Sequence, residues 1–155
     1  MFQQIFSNYY LNMSLLCWFT AQVLKVVIDL LVNRKFDYER LIGSGGMPSS
    51  HSALVCGLAT AVFLKFGFQS FQFAIAAVFA FVVMYDAMGV RRAAGEQAKT
   101  INTMVNWYIF HERAGGEEPP PDAPQKMLKE LIGHTPVEVI SGAILGIVLV
   151  LLMPR

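Results

Sequence analysis

Residues 43–66 read GSGGMPSSHSALVCGLATAVFLKF: a glycine-rich turn and a proline, then two serines and a histidine, then a run uncharged until Lys65. Glycine and proline punctuate the chain, and a serine just before an apolar run is a helix N-cap signal. The stretch therefore predicts a helix over residues 49–66, entered from a turn, with a histidine at its mouth. An apolar segment of this length is either a buried core helix or a membrane span. Its surroundings decide between the two.

Apolar residues make up 55% of the 155-residue chain and charged residues 15%, with a mean hydropathy of +0.48. Soluble domains are less apolar and more charged than this, so the composition predicts an integral membrane protein. No shift along the chain divides it, and residues 1–155 read as one domain. A span needs about 20 mostly apolar residues. Four segments qualify: 13–33, which carries Lys25 and Asp29, then 49–66, 70–88 and 137–153. The second and fourth are short, which suggests tilt or ends buried in protein. The N-terminus lacks the positive flank and cleavage site of a signal peptide, so the first segment is expected to be retained. Between Val90 and Phe110, the residues Val90, Ala94, Ile101, Val105 and Tyr108 recur at helical spacing and predict an amphipathic, interfacial helix. ERAGGEEPPPDAP, residues 112–124, reads as a loop, followed by a short helix around 125–131. The predicted fold is thus an all-α, polytopic membrane bundle of about four transmembrane helices plus an interfacial helix.

If all four segments span, residues 34–48 and 89–136 emerge together. That side holds Arg34, Lys35, Arg40, Arg91, Arg92, Lys99, Arg113, Lys126 and Lys129, against Lys65 and Arg155 near the other. By the positive-inside rule it is cytoplasmic, which predicts a multi-pass protein of the cell membrane. No basic stripe interleaved with aromatics supports nucleic-acid binding. Cys17 and Cys56 form no CxxC pair and read as buried thiols.

The same topology brings His51, Asp86, Arg91, Arg92, His134 and Glu138 to one face. Ionisable groups at membrane depth mark function by default, and Lys25 with Asp29 is the deepest pair. Each residue has two readings. Ser49 or Ser50 caps the helix, or the helix N-terminus binds an anion that the glycines let approach, with His51 as proton donor. In GHTPVEV, Thr135 and Glu138 form a capping box with Pro136 at the first helical position. Alternatively, Glu138 orients His134, a candidate nucleophile. Asp86, Arg91 and Arg92 form a salt-bridged helix end, or the arginine forks bind phosphate oxygens. The motif is not a Walker A loop, and His111 is read as a surface residue.

GGMPSSHSA, YDAMGVRRAAGEQA and LKELIGHTPVEV, in that order, resemble the divergent PAP2 family over nearly the whole chain. That family is distantly related to type 2 phosphatidic acid phosphatases and vanadium haloperoxidases. The resemblance implies a metal-independent phosphatase without a cofactor, acting on a lipid phosphate through a phosphohistidine. His134 would be the nucleophile, Glu138 would stand for the family's aspartate, and His51, in PSSH, would be the general acid, with Ser49 matching the motif serine. Ser50 replaces the motif glycine, no Ser-Arg precedes the nucleophile, and Lys-x6-Arg-Pro is absent. Lys25, Arg40, Arg91 or Arg92 are the candidates to supply the missing cations, and Asp86 is a supporting residue. Four spans are fewer than the classical relatives have, so self-association to complete the bundle is also expected. Two further readings stand beside this one. The His51, His134, Asp86 and Glu138 set could hold a divalent metal for hydrolysis or ion handling. Or the chain binds a lipid phosphate, or serves assembly, without turnover.

Overall fold

The computed structural model describes residues 7–33, 46–114, 128 and 133–153, which form five helices: α1 Tyr9–Asn33, α2 Ser50–Phe66, α3 Phe71–Met88, α4 Val90–Ala114 and α5 Pro136–Leu152. No strand occurs among the described residues. The all-α expectation holds. Two stretches are long and apolar enough to cross a membrane, Tyr9–Leu31 and Phe71–Ile109, whereas Ser50–Phe66 and Pro136–Leu152 are apolar but shorter. The first helix begins at Tyr9, four residues before the expected Met13. The predicted loop at 112–124 and short helix at 125–131 lie outside the described residues, except for the end of α4 and Leu128.

Three helices start at a capping side chain. Ser49 caps α2 by accepting from the Ser52 amide, Ser70 caps α3 by accepting from the Phe73 amide, and Thr135 caps α5. These caps satisfy amides that the first turn leaves without a partner. A cis peptide bond joins Met47 to Pro48 just before α2.

α2 is the hub, with α1, α3 and α5 all packed on it, and its contact with α5 is the most extensive. The reason is a stripe of small residues. A Cβ at Gly142 would lie 2.2 Å from the carbonyl oxygen of Ser49, and one at Gly146 would lie 2.2 Å from that of Ala53. A Cβ at Gly57 would lie 2.7 Å from Cys17 Sγ, and Cys17 itself donates weakly to the Gly146 carbonyl at 3.7 Å. α2 and α5 therefore approach backbone to backbone, a geometry only small residues permit, and Cys17 of α1 fits against Gly57. The GxxxG spacing at 142 and 146 within an apolar helix is a readable signal for it. Cys17, Ala21, Ala53, Ala61 and Val150 fill the resulting core, all under 2% exposed.

α3 and α4 meet at Gly89. α4 turns Ala98 and Asn102 inward, while Val90, Ala94, Ile101 and Tyr108 of the expected apolar face are exposed. Its apolar stripe is thus directed away from the protein. The Asn102 side chain holds the peptide of Leu128 from both sides, donating to its carbonyl at 2.8 Å and accepting from its amide at 2.9 Å.

Replacing Gly146 by alanine is expected to lower stability by about 1–3 kcal/mol or more, because the new methyl meets backbone that cannot rotate away. Ile144→Ala, on the exposed face of the same helix, should cost much less. Thermal unfolding of the detergent-solubilised variants checks the difference.

Candidate functional site

Four separate stretches of sequence converge at one end of the bundle. Two backbone hydrogen bonds bring them there: the Ser49 amide donates to the Glu138 carbonyl at 2.9 Å, joining the first turns of α2 and α5, and the His134 amide donates to the Ala87 carbonyl at 3.1 Å, tying the strap before α5 to the end of α3. Gly133 makes the second contact feasible. Its φ of +105° is left-handed, and a Cβ there would lie 2.5 Å from the Arg92 amide nitrogen, so only glycine passes so close to the start of α4.

His134 is 3% exposed, and neither ring nitrogen has a hydrogen-bond partner among the described residues. Buried polar atoms are ordinarily paired, so this imidazole is a conspicuous exception. His51 stands edge-on to it, with ring centroids 6.4 Å apart and planes at 79°. Unlike His134, His51 is exposed. The two histidines, 83 positions apart in sequence, thus form one buried and one open member of a pair.

Glu138 does not hydrogen-bond His134. Its carboxylate accepts from the Thr135 amide at 2.8 Å, while Thr135 Oγ1 accepts from the Glu138 amide at 3.4 Å, completing the capping box. The structural alternative for this carboxylate is therefore realised. Its charge still acts through space. Burial pushes the His134 imidazole below its ordinary value of 6.5; Glu138 pulls the other way, and Lys25, His51 and Arg91 add to the depression.

Lys25 is buried within α1 at 3% exposure, its stem packed where Gly46 has no side chain; a Cβ there would lie 3.4 Å from Lys25 Cγ and Cδ. The two arginines differ. Arg91 lies within electrostatic reach of His134 and pairs with Asp86 at 2.6 Å. Arg92 pairs with Glu96 at 3.1 Å, one turn further along α4, and is not among the charges felt by His134. Ser49 and Ser50 are buried, and the Ser49 hydroxyl is engaged by the amide and the hydroxyl of Ser52. At this helix start the exposed side chain is His51, and the amides of Ser50 and His51 come before the first intrahelical acceptor. Arg40 lies outside the described residues.

The structure thus brings His51, His134, Lys25, Arg91, Asp86 and Glu138 to one end, with the Arg92 backbone against Gly133 and its side chain turned to Glu96. No group of three or more His, Cys, Asp or Glu among the described residues is arranged to hold a metal ion, since Asp86 is turned to Arg91 and Glu138 to its cap. Sequence reading missed Gly133, Gly142 and Gly146, which set the approach of the strands of backbone that carry the site. The glycine directly before His134 and the GxxxG spacing were the available signals.

A family model, that of the Divergent PAP2 family, matches residues 6–149. The chain is also 44% identical over 158 residues to the uncharacterized membrane protein YuiD of Bacillus subtilis (strain 168), an alignment covering 97% of this chain and 96% of that one. No solved structure matches.

The depressed His134 fixes the sign of a pH effect. The unfolded chain takes up the proton first, so the stability governed by this group is complete above about pH 6.5 and falls as the pH drops through that value toward the lower folded one. His134→Gln should flatten this part of the stability profile, as read by unfolding between pH 8 and pH 5.

Proposed function

The chain belongs to the Divergent PAP2 family, and on that premise we propose that it is a multi-pass membrane enzyme that removes phosphate from a phosphorylated lipid. The substrate is a phosphomonoester or diphosphate of the phosphatidate, phosphatidylglycerophosphate or polyprenyl phosphate type. The single observation that carries this reading is the buried, unpartnered His134 facing the exposed His51. In this reading all four apolar helices α1, α2, α3 and α5 span, the exposed apolar stripe of α4 lies at the interface, and the histidine end faces the cytoplasm with Arg91, Arg92 and Lys99.

The neutral imidazole is the nucleophilic form, and burial favours it. A ring nitrogen of His134 attacks phosphorus; the nitrogen–phosphorus bond forms as the bond from phosphorus to the lipid oxygen breaks, and His51 gives that oxygen its proton. Water then attacks the phosphohistidine, losing a proton to His51, and phosphate leaves as His134 is restored. Arg91, Lys25 and the first amides of α2 stabilise the equatorial oxygens, with Arg40 a further candidate. Glu138 contributes by position and charge: it fixes the first turn of α5, and its negative field favours the positive charge that develops on His134.

A binding-only role draws support from the absence of a hydrogen-bonded orienter on His134. A metal-dependent hydrolase draws less, because the carboxylates nearest the histidines are already engaged.

Phosphate release by detergent-purified protein from a panel of these lipids, with EDTA present, separates the three. The phosphohistidine scheme predicts chelator-resistant turnover that drops about a thousandfold or more in His134→Ala. His51→Ala should cost about a hundredfold, and Glu138→Gln, which keeps a capping oxygen, only several-fold. Loss of activity with EDTA favours the metal reading, and lipid binding without release favours the binding-only one.

A further inference from the structure

α4 stands apart from the other helices: among the described elements only α3, which leads into it at Gly89, packs against it. Yet Gly95, Ala98 and Asn102 of α4 are buried. Their spacing of three and four residues places them on one face, which Arg92 continues a turn earlier. The described partners of that face belong to the chain that runs into His134. At one end the Asn102 side chain, 5% exposed, donates to the Leu128 carbonyl at 2.8 Å and accepts from the Leu128 amide at 2.9 Å. At the other end a Cβ on Gly133 would lie 2.5 Å from the Arg92 amide nitrogen and 2.7 Å from the Arg91 carbonyl carbon.

Leu128 and Gly133 are thus held at two places on one helix. Asn102 and Arg92 are ten positions apart, about 15 Å along α4. A five-residue step reaches at most about 18 Å, so holding Leu128 limits how far Gly133, and His134 after it, can move along α4. The next link is the His134 amide, which donates to the Ala87 carbonyl at 3.1 Å. His134 depends on this support, because neither ring nitrogen has a hydrogen-bond partner among the described residues. Its imidazole therefore takes its place from its main chain. Asparagine suits the anchor, since its side-chain amide presents a donor and an acceptor side by side and meets both groups of one residue.

We infer that Asn102 is a positioning residue for His134: it anchors to α4 the chain that carries the imidazole, and so sets where the ring stands against His51. The inference rests on the reading of His134 as nucleophile and adds to it a residue that acts through the backbone, 32 positions before the histidine. A reacting group displaced by about 1 Å, even by a change far from the chemistry, loses roughly a hundredfold in rate. α4 is in this sense the splint of the site, and Asn102 the point where it grips.

The test uses Asn102→Ala, with Thr103→Ala on the exposed side of the same helix as control. With a short-chain, water-soluble alkyl phosphate, Asn102→Ala should lower kcat roughly ten- to a hundredfold and leave KM within about twofold; Thr103→Ala should match wild type. A second readout needs no turnover. In protein labelled at histidine, the His134 resonance, identified by its loss in His134→Gln, is titrated. Burial holds this imidazole below 6.5, and Glu138, Lys25, His51 and Arg91, whose charges also act on it, are untouched by the substitution. In folded Asn102→Ala its midpoint should move up toward 6.5. Asn102→Gln, which keeps both groups on a longer stem, should show a smaller change in the same direction, and carries the comparison if the alanine variant does not fold. A moved midpoint supports the positioning role even if no lipid phosphate is hydrolysed and the phosphatase reading fails. A His134 titration identical to wild type in a folded Asn102 variant overturns it, as does a loss of kcat explained by a smaller folded fraction.

Discussion

The contact of Gly142 and Gly146 with the backbone of Ser49 and Ala53 is the constraint on which the rest depends. With any larger residue at those positions α5 would ride outward from α2, and the hydrogen bond from the Ser49 amide to the Glu138 carbonyl would break. That bond ties together the first turns of the two helices, one carrying His51 and the other preceded directly by His134. Close packing between helices, which in a lipid environment comes from van der Waals contact and small residues, therefore also fixes the spacing of the two imidazoles.

From that seam the polar end of the molecule follows by short links. His134 is held by its backbone to Ala87, and Gly133 lets the same strap lie against Arg91 and Arg92. Its side chain is left without a partner, in a place where desolvation keeps it neutral and where Glu138, Lys25, His51 and Arg91 all act on it. The carboxylate one turn away serves the helix first and the imidazole only through its field. Asp86 similarly anchors Arg91 rather than a histidine.

Several features were legible in the residues themselves. The caps at Ser49, Ser70 and Thr135 are local, set by side chains that reach amides three residues on, so sequence fixes them with little help from the rest of the chain. The apolar runs set where α1, α2, α3 and α5 lie. The amphipathic pattern located α4, but its buried residues are Ala98 and Asn102, while Ile101 and Tyr108 are exposed. Asn102 then finds its partner at Leu128, 26 positions away, a pairing no local pattern announces.

Sequence by itself determined the helical class, the capped starts of α2 and α5, the convergence of polar residues on one end and the family resemblance, because periodicity, capping and motif order are properties of neighbouring residues. Sequence offered two readings of Glu138, and the capping box that it takes up is itself a local contact. Tertiary structure alone decided what is buried and what meets across the chain: it buried Ser49 and Ser50 while leaving His51 open, and set His134 beside His51, 83 positions away. Those outcomes depend on which backbones come within van der Waals contact, and that is set between distant positions of the chain by where glycine leaves room.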